Sequence, residues 1–146
     1  MRKLFALTIA LTTAARIGTL HAESLEEKKY WKTQSDYINE KLASANKACD
    51  AKLTFDWVDK DKLRENAEKN KNSSNGVCGS IVDTVESLCR AGADEKAAVK
   101  AKITAIQCGY ANPRTLDLKG TTLKYMGNNQ EANFGDWAKP WLMKHL

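Results

Sequence analysis

The sequence predicts an α+β domain in which helices pack on one face of a small antiparallel sheet of three or four strands, with two disulfides. Three observations lead to this class. Apolar residues recur at helical spacing in some segments, and they alternate at strand spacing in others. The third is an even number of cysteines in those segments, which predicts two bridges among Cys49, Cys78, Cys89 and Cys108.

The first predicted helix begins after Ser24 and ends at Cys49. Residues 24–27 (SLEE) have the form of a capping box, in which the serine hydroxyl and the Glu27 carboxylate bind free backbone amides. Apolar residues then recur along one face of the segment: Trp31, Ile38, Leu42, Ala45 and Cys49. This spacing predicts a helix whose last buried residue is a cysteine.

Residues 53–58 alternate between apolar and polar side chains, which predicts a half-buried strand with Asp56 on its polar face. Residues 60–70 contain few apolar anchors and predict a short polar helix. Residues 71–76 (KNSSNG) predict a loop by their composition.

A second long helix is predicted over residues 77–91, with Gly92 as the residue that ends it. Cys78 and Cys89 lie on its buried face but stand about 16 Å apart at 1.5 Å per residue. A disulfide needs Cα atoms closer than about 7 Å, so these two cysteines cannot pair with each other. Each therefore pairs with one of the other two cysteines, and both connectivities stay open.

The last third of the chain predicts one short helical turn, three strands and a terminal helix. Residues 94–100 predict the turn, and residues 103–110 predict a strand. Residues 115–118 and 121–126 alternate about a Lys-Gly pair, which predicts a β-hairpin. Helical spacing returns at Phe134 and continues to the end of the chain.

The N-terminal segment has the three parts of a secretory signal peptide. Residues 1–3 are basic, residues 4–15 are apolar apart from threonines, and small residues follow up to Ala22. The apolar run is shorter than the roughly 20 residues that cross a bilayer. We expect cleavage after Ala22, with cleavage after Ala15 as the alternative.

The predicted organisation is therefore a signal peptide over residues 1–22 and a single disulfide-stabilised domain over residues 23–146. Such a product is secreted or periplasmic, and it has no transmembrane segment after cleavage. The removed segment holds three basic residues and no acid, so 20 basic and 18 acidic side chains remain. No basic stripe interleaved with aromatics is present, which excludes a nucleic-acid partner.

Histidine content limits the chemistry of the domain. His21 lies in the predicted signal peptide, which leaves only His145, beside the C-terminus. Serine and cysteine nucleophiles use a positioned imidazole as base, and zinc sites use histidines or close cysteine pairs. We therefore predict no metal site and no cofactor, and we disfavour an enzymatic function.

The candidate ligand-binding residues are Trp137, Trp141 and Asp56. Exposed tryptophans stack on sugars or anchor a protein partner, although core packing is the commoner role of residues on the apolar face of an element. Trp141 is the strongest candidate for exposure because Pro140 is expected to interrupt or restart the terminal helix. Paired carboxylates are the one catalytic possibility that composition leaves, and two of the acids Asp56, Asp59 and Asp61 could act as acid and nucleophile in glycoside hydrolysis.

Several features in order resemble small secreted bacterial proteins of uncharacterised function that have four cysteines. The resemblance covers most of the domain and rests on these residues: Cys49, Phe55-Asp56-Trp57, Cys78-Gly79, Leu88-Cys89, Cys108, residues 116–123, Asn128-Asn129 and Trp141-Leu142. It implies a bacterial, exported setting and no particular activity or functional residue.

Three functions stay open. The favoured one is a non-catalytic binding or inhibitory module that acts on an extracellular or periplasmic protein or glycan. The second is a carboxylate-based hydrolase, which needs two acids facing each other in a cleft, one of them with a raised pKa. The third is an envelope-associated structural protein that self-associates, for which an exposed edge strand and a symmetric apolar patch are the distinguishing features.

Overall fold

The computed structural model describes residues 24–128, 130 and 133–146, so the predicted signal peptide lies outside the described residues. Within them the chain forms five helices and a four-stranded sheet, which confirms the α+β class. In chain order these are α1 (Leu25–Cys49), β1 (Thr54–Trp57), α2 (Lys60–Lys69), α3 (Ser74–Ala91), α4 (Ala93–Lys102), β2 (Ala105–Tyr110), β3 (Thr115–Lys119), β4 (Thr122–Gly127) and α5 (Phe134–His145).

The strands lie in the order β1-β2-β4-β3, and the sheet is mixed. β1 pairs with β2 in parallel, β2 pairs with β4 in parallel, and only β3 and β4 are antiparallel. The predicted antiparallel arrangement is therefore wrong for the first two pairs. Three helices connect β1 to β2 and return the chain to the end of the sheet where β1 began, so β2 runs in the same direction. The hairpin strand β3 then takes the outer position, which leaves β4 beside β2.

The helices pack on one face of the sheet, as predicted, and we call this the helical face. The register places these side chains on it: Phe55, Trp57, Ile106, Cys108, Leu116, Leu118, Leu123 and Tyr125. The two central strands are the most deeply covered, because Ile106 and Leu123 are fully buried. α3 supplies the other half of the core with a continuous apolar stripe that includes Ile81, Val82 and Val85.

The opposite surface of the sheet, which we call the outer face, is polar. Its middle row runs across all four strands as Asp56, Gln107, Lys124 and Asp117. The two residues on the edge strands are exposed, and the two on the central strands are half-buried by their neighbours. Alternation along each strand therefore separates a core face from a solvated face.

Both disulfides tie α3 to another element. Cys49 at the end of α1 bonds Cys89, and Cys78 bonds Cys108 on β2. The prediction that Cys78 and Cys89 do not pair with each other is thus confirmed. The bridges close loops of 40 and 30 residues. Closure of such loops removes chain entropy from the unfolded state, and each bridge stabilises the fold by about 4 kcal/mol in that account.

Several helix boundaries differ from the prediction. α3 begins at Ser74, three residues before the predicted start. Ser73, in extended conformation, is its N-cap residue, so the first turn of the helix lies within the predicted loop. Gly92 does not adopt the left-handed conformation of a helix-ending glycine; its φ of −172° is extended, and it also precedes the ten-residue helix α4. The predicted turn is therefore a full helix, and the sharp bend at Gly92 joins it to α3.

Pro140 lies inside α5 and does not interrupt it, contrary to the prediction. A proline removes one hydrogen bond to the carbonyl four residues earlier, which is that of Asp136. Both residues are exposed, so water can bind the freed carbonyl and the helix continues to His145. In the part of the chain that the structure describes, no helix is long and apolar enough to cross a membrane.

Candidate ligand-binding cleft

Three parallel strands end at one edge of the sheet. β1, β2 and β4 finish there at Trp57, Tyr110 and Gly127, and the segments that follow them meet beyond the strand ends. In sheets with parallel strands, ligand sites occur at the carboxyl ends, because the connecting segments diverge there and leave a crevice. A polar cleft lies at this position.

We call this site the carboxyl-edge cleft. It has a volume of about 320 Å³ and is lined by Lys62, Glu65, Asn66, Lys69, Asn70, Tyr110, Asn112 and Gln130. These residues come from three separate segments: α2 with the residue that caps its end, the end of β2 with the loop that follows it, and the segment after β4. Four of the eight lining side chains are primary amides, which donate and accept hydrogen bonds at once.

Hydrogen bonds between amides join the walls of the cleft. Asn70 Nδ2 donates to the backbone oxygen of Asn66 at 2.8 Å and to its Oδ1 at 3.2 Å. Gln130 Nε2 donates to Asn70 Oδ1 at 3.3 Å, so the segment after β4 is joined to α2. Three of the lining amides are therefore positioned by one another before any ligand enters.

Asn128 supports this arrangement from below. Its side chain is buried, with 5% of the residue exposed. Its Nδ2 donates to the carbonyl of Ala111 at 3.2 Å, and its Oδ1 accepts from the backbone N–H of Gln130 at 2.9 Å. One buried amide thus fixes the spacing between the loop after β2 and the segment after β4.

The charged groups of the cleft are two lysines and one acid. Lys62, Lys69 and Glu65 lie on successive turns of α2, and all three are exposed. Tyr110 is half-buried and is the one aromatic residue that lines this cleft. This composition can bind hydroxyls, carbonyls or a carboxylate, but it holds no pair of acids. Over residues 24–128, 130 and 133–146, no group of three His, Cys, Asp or Glu side chains is placed to hold a metal ion.

The sequence-predicted residue Trp137 lies in an aromatic cluster at the start of α5. Its ring centroid is 5.8 Å from that of Phe134 and 6.4 Å from that of Tyr125, and the Arg114 guanidinium lies 4.5 Å above it. The residue is half-buried. Its packing role is therefore visible in the structure, and its predicted ligand-binding role stays a prediction.

Trp141 lies one turn further along α5, with one ring face covered. The imidazole of His145 stacks on it with centroids 3.8 Å apart, and His145 Nδ1 is 2.7 Å from the Trp141 carbonyl oxygen. The remaining tryptophans also pack against the core. Trp31 is 4% exposed, and the half-buried Trp57 donates its Nε1–H to Ser35 Oγ at 3.0 Å.

Asp56 lies apart from Trp137 and Trp141. It is exposed on the outer face of β1, whereas Trp137 and Trp141 belong to α5, which packs over the helical face. The structure therefore does not bring the three predicted residues into one site.

A second cleft, of about 530 Å³, is lined by two acids, Asp83 of α3 and Asp136 of α5. Lys41 Nζ lies 2.6 and 2.7 Å from the two carboxylate oxygens of Asp83. Burial lowers the pKa of Lys41, but hydrogen bonds to Asp83 and Tyr37 outweigh it, so the pKa is raised overall. The Lys41 ammonium therefore stays charged and occupies both carboxylate oxygens of Asp83.

Comparisons with protein-family models, with curated proteins and with solved structures give no match to this chain. The candidate site therefore depends on the geometry alone. Sequence reasoning did not find the carboxyl-edge cleft, since the direction of β2 and β4 decides where it lies. The one sequence signal was the concentration of amides in residues 66–75 and 128–133, which composition alone assigns to loops.

Proposed function

We propose that the chain is an exported, non-catalytic binding module that takes a glycan in the carboxyl-edge cleft. The observation that supports this is the convergence of four side-chain amides, from three segments, beside the half-buried ring of Tyr110. Sugar hydroxyls both donate and accept hydrogen bonds, and amides match both roles. An aromatic ring offers an apolar surface for the faces of a sugar ring.

A glycan suits the described surface better than a protein partner does. Protein interfaces usually bury a central group of apolar or aromatic anchors. Among the described residues, the exposed large apolar side chains are Leu25, Tyr37 and Met143, which lie apart on α1 and α5. The cleft, by contrast, has a volume at the lower end of the range for small-ligand pockets, about 300 to 1,000 Å³.

Acid–base chemistry has little support in the same residues. A general acid at neutral pH needs a pKa above the usual carboxyl range. Among the described residues, the two acids whose pKa is displaced are both displaced downward: Asp50 by a hydrogen bond from Lys100, and Glu86, where bonds from Arg90 and Ser44 outweigh burial. Neither lines the carboxyl-edge cleft, whose one acid is Glu65.

Export is part of the proposal and has two supports. The N-terminal residues have the composition of a signal peptide. Two disulfides connect α3 to α1 and to β2, and such bonds persist in oxidising compartments.

An NMR titration tests the proposal. The ¹⁵N-labelled, disulfide-bonded protein is titrated with a panel of neutral, amino- and acidic oligosaccharides while backbone amide shifts are followed. We expect at least one saccharide to shift the amides of α2, Tyr110 and Gln130 together. Shifts confined to Trp137 and Trp141, or no shifts with the whole panel, contradict the proposal. Turnover of a bound saccharide contradicts its non-catalytic part.

Matched variants locate the binding residues. Tyr110→Ala and Asn112→Ala each remove a lining group, and we expect each to weaken saccharide binding about tenfold, on the scale of one lost hydrogen bond or stacking contact. The control is Asn39→Ala, which removes an exposed amide on α1 that is distant in sequence from every residue that lines the cleft. Equal effects of all three variants would count against a local site.

A further inference from the structure

β3 is an edge strand with free backbone groups. It pairs with β4 alone, and the two-residue turn Gly120-Thr121 makes Lys119 and Thr122 a hydrogen-bonded pair. Because such pairs alternate, the N–H and C=O groups of Leu116 and Leu118 point away from β4. In the described part of the chain, no other backbone hydrogen bond reaches these groups.

We propose that β3 pairs antiparallel with β3 of a second copy of the chain, about a two-fold axis at Leu118. The two sheets then form one continuous sheet, and each Leu118 exchanges backbone hydrogen bonds with its symmetry mate. Such an interface is self-complementary, as two-fold symmetry requires.

Charge complementarity selects this register. With Leu118 on the axis, Asp117 lies opposite Lys119 of the second copy, and Lys119 lies opposite the Asp117 of that copy. Both side chains are on the outer face, with 52% of Asp117 and 82% of Lys119 exposed, and Lys119 Nζ lies 3.5 Å from Asp117 Oδ2 within one copy. In the dimer each carboxylate therefore lies beside the ammonium group of its own copy and that of the second copy. A register with Asp117 on the axis would oppose two carboxylates, and one with Leu116 on the axis would oppose Asp117 to Thr115. Opposite charges across strands stabilise the pair, and like charges destabilise it.

The β3 side chains on the helical face also fit this register. Leu118 is half-buried in one copy, and its symmetry mate covers the remaining surface. Leu116 lies opposite Gly120 of the second copy. A side chain built at Gly120 would meet no atom within 4 Å, so that position leaves room for the leucine.

The other sheet edge lacks this complementarity. At the two ends of β1, the N–H groups of Thr54 and Val58 donate to the carbonyls of Thr104 and Cys108, at 3.0 and 2.7 Å, so Phe55 and Trp57 have the outward groups. If β1 paired antiparallel with β1 of a second copy, Asp56 would lie opposite Asp56, Thr54 or Val58 of that copy. These three cases place the two-fold axis at residue 56, 55 or 57. None of these gives an attractive charge pair, so the comparison favours β3.

The test measures oligomeric state. The full chain is expressed with its own N-terminus, recovered with both disulfides formed, and analysed by sedimentation and light scattering. We expect a dimer at a protein concentration of about 0.1 mM, because an interface made by one pair of strands is small. Asp117→Lys and Lys119→Asp each place like charges at both contact positions, and each should raise the dimer Kd at least about tenfold.

Mixing the two variants restores both attractive pairs. Positions 117 and 119 are both basic in the Asp117→Lys copy and both acidic in the Lys119→Asp copy, so opposite charges face each other at each contact. Native mass spectrometry should find the mixed dimer in large excess over either homodimer. Damage within one copy, such as repulsion between position 117 and Lys124 on β4, persists in the mixture and cannot produce this rescue. The matched control, Asp56→Lys on β1, should leave the dimer Kd within about twofold.

A monomeric parent chain at 0.1 mM, or variants that dimerise as well as the parent, overturns the proposal. So does a mixture that stays monomeric. The pairing uses no residue of the carboxyl-edge cleft, so its failure leaves the glycan proposal standing, and the reverse is also true.

Discussion

The surroundings of α3 and the carboxyl edge of the sheet are held together in different ways. Around α3, two disulfides and a continuous apolar core join α1, α3 and β2. At the carboxyl edge, Asn70, Asn128 and Gln130 are joined by single hydrogen bonds between amides. Apolar burial is non-directional and tolerates small shifts, whereas a hydrogen-bonded amide is costly to leave unpaired. The surroundings of α3 are thus held by covalent and apolar contacts, and the carboxyl edge is held by polar ones.

Removing the Cys49–Cys89 bridge gives the largest expected effect. The double variant Cys49→Ala/Cys89→Ala should lower the free energy of unfolding by about 4 kcal/mol, because the unfolded chain regains the entropy of a 40-residue loop. Urea denaturation measures the change. If α3 dominates stability as we argue, the amide shifts of the carboxyl-edge cleft stay in place while the midpoint falls. A loss below about 1 kcal/mol would mean that the apolar core alone holds α1 against α3.

Removing the buried amide at the other end has a smaller, local effect. Asn128→Ala should lower the free energy of unfolding by about 1 to 2 kcal/mol, the usual cost of unpaired buried backbone groups. Hydrogen exchange should quicken at Gln130, whose N–H loses its acceptor. Asn39→Ala, on exposed α1 surface, is the control and should change neither quantity. Unchanged exchange at Gln130 would show that Asn128 does not position the cleft.

The smallest effect concerns Glu86 of α3, which links that helix to α1. Ser44 Oγ donates to Glu86 Oε1 at 2.8 Å, and Arg90 Nη2 lies 2.6 Å from the same oxygen. Burial raises the pKa of Glu86, but these partners hold it below its ordinary 4.5 in the folded protein. The group therefore stabilises the fold above pH 4.5, and the contribution is lost as the pH falls below that value.

Glu86→Gln should remove this pH dependence at a cost below about 1 kcal/mol at neutral pH, since Arg90 is largely exposed. Thermal unfolding between pH 3 and 7 measures it, with Glu40→Gln, an exposed acid of α1, as the control. Identical pH profiles for the parent and Glu86→Gln would mean that solvent screens these contacts completely.

The sequence predicted the local parts of the fold well. Periodicity located α1 and the β3–β4 hairpin, and helix geometry excluded one cysteine pairing. Strand direction could not be predicted, because alternation in β2 and β4 is the same whichever way the strands run. The carboxyl-edge cleft follows from that direction, so it was missed with it. Trp137 and Trp141 were assigned correctly to the apolar side of a helix, but Asp56 belongs to a different surface.

The two disulfides interlock along the chain, since Cys78 lies between the ends of one loop and Cys89 lies between the ends of the other. A protease that cuts once anywhere between Cys49 and Cys108 therefore leaves both fragments covalently joined. The loop at residues 71–73 and the bend at Gly92 both fall within this span. The fragments of a nicked molecule stay linked until the disulfides are reduced, so in a protease-rich compartment the protein can survive a cleavage that would divide an unbridged domain of the same fold.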